Sequence, residues 1–250
     1  MSKSRVLNYI NCPQKFEYDY IFDMRFMDDE PEEGSPLRKG SELHKIFEDY
    51  YTIEEAKNLP TASGTDYVPL IYDLLIQHPF AKKEDPELRE EYFDHLANFA
   101  EYNASEIVNK GIENYIPAGT ELDLYDKCLD FQGIIDRVEE KSDGTYTLID
   151  YKTGRPGTLK KYWLELVLYK VLFEKATKKR VTEVGIWFSK NGKLRVTKDI
   201  SLEDDTWALR ILSNVRQEID SGLFPKKRSF LCRYCNYLGG ICDTPADVYG

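Results

Sequence analysis

The 250-residue sequence contains no apolar run approaching the roughly 18 residues that a helix needs to cross a bilayer, which excludes a membrane-spanning helix. It has no excess of basic residues. Lys and Arg number 34 against 44 Asp and Glu, for a net charge of −10, so a globally basic coat for nucleic acid is excluded. A local cleft for DNA is not, because a few side chains and a metal ion can reverse the field there. The opening Met1-Ser-Lys-Ser-Arg5 leads into no apolar stretch of the secretory kind, and an intracellular protein is expected. Internal repeats and low-complexity tracts are also missing. What is present is a 42% hydrophobic chain with 18 Tyr, 12 Phe and 3 Trp, too aromatic for wholesale disorder. Its length fits one large domain or two small ones at roughly 100–200 residues each.

Helical spacing dominates the first half. Ser4 is placed to cap a helix from Arg5 to Ile10 that ends at Cys12-Pro13. Pro36 opens a second, running to about Tyr51 with Leu43, Ile46, Phe47, Tyr50 and Tyr51 on one side. After a loop over Leu59–Asp66, further helices are predicted near Val68–Ile76 and Pro86–Lys110. From Glu121 the period falls to two, predicting a strand through Leu122, Leu124 and Lys127–Phe131. A hairpin from Gln132 to Lys152 and a helix from Leu159 to about Ala176 follow. A second hairpin, Val181–Phe188 with Leu194–Ile200, turns at Asn191-Gly192, the signature of a type I′ turn. Ser201-Leu-Glu-Asp204 starts a last helix with a capping box, ending near Gly222. The expected class is mixed α/β with a small sheet flanked by helices. The acidic run Asp28–Glu33 reads as a solvated loop, and Lys178-Lys-Arg180 and Lys226-Lys-Arg228 as surface.

Five cysteines in an intracellular chain point to metal or redox chemistry before disulfides. Cys232-Arg-Tyr-Cys235 is a C-x2-C, and Cys242 follows after six intervening residues. A soft tetrahedral site needs a fourth ligand, for which Cys12 and Cys128 are the candidates.

The central hairpin carries the sharpest signal. If Ser142-Asp143-Gly144 is a three-residue loop with Gly144 left-handed, Lys141 pairs with Thr145 and Asp136 falls opposite Asp150. Opposed residues have Cβ atoms about 4.5–5.5 Å apart, where like charges destabilise, so two carboxylates among Ile134, Ile135, Leu148 and Ile149 need a cation. A divalent metal supplies one and Lys152 another. A one-residue slip would remove Asp136 from that face. The competing reading is a surface hairpin with exposed Asp136–Arg137 and Asp150–Lys152 pairs.

Gly133-Ile-Ile-Asp-Arg-Val138 followed by Ile149-Asp-Tyr-Lys-Thr-Gly154 resembles the catalytic core of the RecB-type nucleases of the PD-(D/E)xK superfamily. Gly40-Ser-Glu-Leu-His44 resembles that family's Gly-x-x-x-His helix, and Leu164-Glu-Leu-Val-Leu-Tyr169 its Gln-Leu-x-x-Tyr helix. Cys12-Pro13 with Cys232, Cys235 and Cys242 resembles the iron–sulfur branch, which includes CRISPR-associated exonucleases and the AddB nuclease domain. The resemblance implies a restriction-endonuclease-like core over 121–221 and a helical region over 35–120 carrying His44. Residues 1–34 and 222–250 would together form a four-cysteine subdomain. It further implies Mg²⁺ or Mn²⁺ held by His44, Asp136, Asp150 and the Tyr151 carbonyl, with Lys152, Glu165 and Tyr169 completing the catalytic set. Imidazole favours Mn²⁺. Cys12, Cys232, Cys235 and Cys242 would hold a 4Fe–4S cluster, leaving Cys128 as a core thiol; zinc is the alternative occupant.

The implied activity is a metal-dependent DNA exonuclease on single-stranded ends, 5′ to 3′ favoured, in repair, recombination or CRISPR spacer acquisition. Its partners would be DNA and the integration or repair proteins of those processes, and its state monomeric or homo-oligomeric. Glu165 departs from the family's Gln. It is either an added ligand, a mark of weakened catalysis, or a plain helix residue paired with Lys161. His44 has the alternative of a packed aromatic-helix histidine, and His78 and His95 match no motif. A catalytically inactive DNA-binding scaffold, or a zinc-stapled interaction module, are the other functional classes.

Overall fold

The computed structural model describes residues 1–25 and 31–243, so Asp28–Glu30 of the acidic run and the last seven residues of the cysteine tail lie outside the described residues. Helices α1 (Lys3–Asn11) and α2 (Pro13–Phe16) run into a π-helical turn, Glu17–Ile21. Then come α3 (Pro36–Tyr50), α4 (Glu54–Lys57), α5 (Tyr67–Leu75) and the long α6 (Pro86–Lys110). Strands β1 (Gly119–Asp126), β2 (Phe131–Glu140) and β3 (Tyr146–Lys152) follow. Helix α7 (Trp163–Thr177) crosses to β4 (Val181–Phe188), and β5 (Lys193–Thr197) and α8 (Leu202–Asp220) complete the order. The five strands lie in sequence order, with β3 and β4 parallel and every other neighbour antiparallel. This is the expected mixed α/β class, a five-stranded sheet between helices.

The local departures have physical causes. Ser2, not Ser4, caps α1, its hydroxyl accepting from the Arg5 amide at 3.4 Å, and this brings Lys3 into the helix. Lys127–Asp130 is a turn and not a strand: the Asp126 carboxylate accepts from the Leu129 amide at 2.7 Å and Asp130 is left-handed at φ 42°. At the β4–β5 hairpin only Gly192 takes positive φ, so the loop is four residues, Ser189–Gly192, and not a type I′ turn. The reason lies in Ser189, whose amide is committed to the Lys152 carbonyl of β3 at 3.1 Å. Leu159–Tyr162 winds as a 3-10 turn before α7. The capping box at Ser201 and Asp204 forms as expected.

The central hairpin has the expected register. Arg137↔Ile149, Val138↔Leu148, Glu139↔Thr147 and Glu140↔Tyr146 pair, Lys141 donates to the Thr145 carbonyl at 2.8 Å, and Gly144 is left-handed at φ 75°. Helices α3, α5 and α6 pack through Phe47, Ile71 and Phe99 onto Ile149, Tyr151 and Trp187 of the sheet. The other face packs Ile135, Val138, Leu148 and Ile186 against Leu166, Tyr169 and Phe173 of α7. A third cluster joins Val6 and Tyr9 of α1 to Phe131, Val167, Leu168 and Leu212, tying α1 to α7 and α8.

Two buried charges fasten the helical layer. Glu42 of α3 is 6% exposed and accepts from Lys83 at 2.5 Å, from Tyr92 and from Arg38 at 3.0 Å. Burial would push its carboxyl up, but these three donors hold it below the usual range. Arg137 is fully buried. It donates to Glu139 and to the Tyr51 hydroxyl, and its guanidinium lies 5.2 Å and 5.0 Å from the ring centres of Tyr51 and Tyr102. Removing one partner of such a set strands the others in a dry interior. Arg137→Ala is therefore expected to lower unfolding free energy by about 3–5 kcal/mol, measured by urea denaturation, and a loss under 1 kcal/mol would contradict this packing.

Candidate active site

Close helix–sheet contacts at Gly133 and Gly40 bring the site together, and at Gly133 only glycine fits. A Cβ on Gly133 would lie 2.9 Å from the Tyr169 ring and 3.0 Å from Leu172, so only glycine lets α7 cross β2 this closely. A Cβ on Gly40 would lie 3.4 Å from the Thr153 hydroxyl, so α3 meets the end of β3 there. These contacts bring His44 of α3 and Glu165 and Tyr169 of α7 to the same end of the sheet as Asp136, Asp150 and Lys152.

The site has two halves. In the first, His44 Nδ1 lies 3.5 Å from Glu121 Oε1 and 3.7 Å from Asp136 Oδ2. One ligand atom from each of the three residues lies within 4.8 Å of the others. His44 and Glu121 also line an open cleft of about 600 Å³. In the second half, Lys152 Nζ lies 2.7 Å from Asp150 Oδ2 and 3.2 Å from Glu165 Oε2. Lys3 joins them, 3.5 Å from Glu165 Oε2 and 3.7 Å from Asp150 Oδ1, with its ammonium 4.9 Å from the centre of the buried Tyr169 ring. Asp136 connects the halves: the strand ladder stops at Arg137↔Ile149, and the Asp136 carboxylate instead accepts from the Tyr151 amide at 2.5 Å.

Asp136 and Asp150 are 7% and 3% exposed. Burial and then the Asp150 charge push the Asp136 carboxyl up to about 7, against the opposing pull of His44. Burial would lower the pKa of His44, but Asp136 and Glu121 outweigh it and hold the imidazole above its ordinary value. Lys152 is raised as well, because Asp150 and Glu165 overcome both burial and Lys3. Lys3 follows the same pattern: burial is outweighed by Asp150, Glu165 and Asp136.

Sequence reasoning anticipated His44, Asp136, Asp150, Lys152, Glu165 and Tyr169, and the structure brings all six together. Glu165 faces Lys152 and Lys3, not Lys161, which lies 5.0 Å over Tyr162. Two residues were missed. Glu121 looked like an ordinary strand residue, yet it adopts φ 43° between the paired positions Thr120 and Leu122, opposite Asp136. A non-glycine residue held left-handed within a strand costs free energy, and such strain collects at functional sites. No sequence pattern marks it. Lys3 was missed because the helix was started two residues late.

The remaining histidines serve the framework. His78 Nε2 lies 3.1 Å from Asp49. His95 Nδ1 lies 2.7 Å from the Ser189 hydroxyl, and Ser189 in turn holds the Lys152 carbonyl through its amide. Burial pushes His95 down to about 4, so it stays neutral beside the Ser189 that holds Lys152.

At the other end of α1, a cavity of about 450 Å³ is lined by Cys12, Cys232, Cys235 and Cys242, with Tyr18, Lys15 and Tyr237. No three of these sulfurs come within 4.8 Å of one another. Cys128 lies apart, exposed on the β1–β2 turn, so it is not the core thiol expected of it. Its neighbours Lys127–Asp130 form a turn, which puts the side chain in solvent.

The PD-(D/E)XK nuclease superfamily model matches residues 1–243, and the chain belongs to that superfamily. Among solved structures, a protein from Eubacterium rectale described as a "putative exonuclease" matches at 11% identity and a TM-score of 0.49, over 95% of this chain and 87% of that one. No curated protein matches. Among the described residues, no helix is long and apolar enough to cross a membrane.

The raised Asp136 has a measurable consequence. Unfolded, this carboxyl loses its proton near 3.8, whereas folded it keeps it to about 7. Folding therefore takes up a proton between those values, and stability falls as pH rises through that window. In metal-free protein, Asp136→Asn should melt higher than wild type at pH 8, with the gap closing toward pH 4. An equal gap at both pH values, or a lower melting temperature at pH 8, would contradict the assignment.

Proposed function

We propose that the chain is a divalent-metal-dependent deoxyribonuclease. The observation that carries this is the convergence of four carboxylates, one imidazole and two lysines on one sheet end, in a member of a nuclease superfamily. The donor set fits Mg²⁺ or Mn²⁺: hard carboxylate oxygens dominate, and the His44 nitrogen favours Mn²⁺. His44, Glu121, Asp136 and Asp150, with the Tyr151 carbonyl, would hold the ion. When bound, such an ion stabilises charge on the phosphate and lowers the pKa of coordinated water.

The chain's own residues do the rest. Burial and the Asp150 charge oppose ionisation of Asp136, so a bound cation would favour its charged form. Lys152, held charged by Asp150 and Glu165, donates to a phosphate oxygen as charge builds there. Ser189, held by His95, fixes the Lys152 carbonyl, and the buried Tyr169 ring lies against the Lys3 ammonium. The resemblance to RecB-type nucleases extends the reading to single-stranded DNA ends, 5′ to 3′, in repair, recombination or CRISPR spacer acquisition. The domain scheme and the partners expected from sequence belong to the same proposal. A weakened nuclease serving as a DNA-binding scaffold is the second reading, favoured by one observation: Glu165 engages Lys152 where the family has an amide.

Four soft thiols around one cavity fit a metal centre. Tetrahedral zinc, with Zn–S near 2.3 Å, would draw its sulfurs to about 3.8 Å apart. The lining of one cavity by Cys12, Cys232, Cys235 and Cys242, with the resemblance to the iron–sulfur branch, supports a 4Fe–4S cluster there, with zinc as the alternative occupant.

Cleavage of end-labelled single-stranded DNA by anaerobically purified protein tests the nuclease. Activity is expected with Mn²⁺ or Mg²⁺ and none with EDTA, and Lys152→Ala should lose about 10²–10³-fold or more in rate. Cleavage by Lys152→Ala at the wild-type rate would overturn the site. Cys232→Ala should lose visible colour and melt lower, since a centre built by folding contributes to it. A colourless wild type that melts with the variant would overturn the cluster.

A further inference from the structure

Lys3 was assigned no role by the motifs, yet it reaches the centre of the site. Its helix is pinned there from both sides. Ser2 forms a parallel bridge with Gln132 at the start of β2, the Gln132 amide donates to the Met1 carbonyl at 2.9 Å, and Val6 and Tyr9 pack into the α7–α8 core. The Lys3 side chain is 22% exposed and has three partners: Glu165, Asp150 and the Tyr169 ring. Lys152 engages the same two carboxylates. Two lysines thus share two acids, and one of those acids, Glu165, stands where the resemblance leads one to expect a neutral amide.

An unneutralised Glu165 would hold Lys152 back from a phosphate. An amide there would need no second lysine. We propose that Lys3 is a positioning residue that takes the charge of Glu165, leaving Lys152 free to serve the scissile phosphate, so that Lys3 and Glu165 work as one unit in place of the amide. The inference depends on the nuclease reading. The Tyr169 ring, itself buried, lies 4.9 Å from the Lys3 ammonium and holds it on the Glu165 side by a cation–π contact.

The test is a double-mutant cycle of Lys3→Met, Glu165→Gln and both together, with Lys3→Arg beside them. Each is read by single-stranded DNA cleavage with Mn²⁺ and by thermal unfolding of metal-free protein. Lys3→Met should lower kcat about tenfold or more with KM little changed, the double variant should return to within about threefold of wild type, and Lys3→Arg should keep most activity. A double variant as slow as Lys3→Met would overturn the proposal, because a merely structural Lys3 could not be rescued by removing a carboxylate. In unfolding, the double variant should lose no more melting temperature than the worse single. Additive losses in a protein that cleaves DNA would overturn the pair alone. A wild type that cleaves nothing with either metal would overturn the nuclease reading itself.

Discussion

Two carboxylates on neighbouring strands, Asp136 and Asp150, are buried almost completely at one end of the sheet, between the aromatic and aliphatic layers that cover its two faces. A low-dielectric interior disfavours two anions side by side, and burial with the charge of Asp150 pushes the Asp136 carboxyl up. Around this frustrated pair the rest of the structure is arranged. Lys152 and Lys3 neutralise Asp150 from the α7 side, and His44 and Glu121 meet Asp136 from the α3 side. What the protein alone leaves unbalanced, a divalent cation would balance.

The supports of this pair explain features that otherwise look unconnected. Gly133 is small because Tyr169 must pass over it, and Glu42 is buried in a nest of donors two residues before His44. Ser189 leaves the β4–β5 turn to hold the backbone of Lys152, which is why that hairpin loop is longer than its Asn-Gly pair would give. Helix α1 connects two places: its first residue reaches the carboxylates and its C-cap, Cys12, lines the thiol cavity. The centre proposed there would therefore brace the helix that delivers Lys3.

Much of this was legible in sequence, and the unread part shares a cause. The register of the central hairpin followed from one loop and one glycine, since strand pairing propagates without further information. The helix from Pro36 followed from proline at its first turn and from apolar spacing, and a helix over Pro86–Lys110 was expected as well. Glu121 and Lys3 could not be read. Glu121 works through a left-handed backbone that sequence patterns of glutamate do not announce, and Lys3 through a helix that starts at Ser2 where Ser4 was expected to cap it. The tertiary bridge between Ser2 and Gln132 fixes that earlier start. Cys128 was misplaced for a similar reason: the strand was extended through a turn that an Asp126 side-chain cap creates.

The central claim, that a cation completes the Asp136–Asp150 site, is tested most directly by calorimetric titration of Mn²⁺ into wild type and Asp136→Asn at pH 6.5, in buffers of different ionisation enthalpy. The account predicts that wild type binds Mn²⁺ with release of protons, because Asp136 and His44 must give theirs up. It predicts that Asp136→Asn binds far more weakly and releases fewer. Tight binding by Asp136→Asn with the same proton count, or binding by wild type with no proton release, would contradict it.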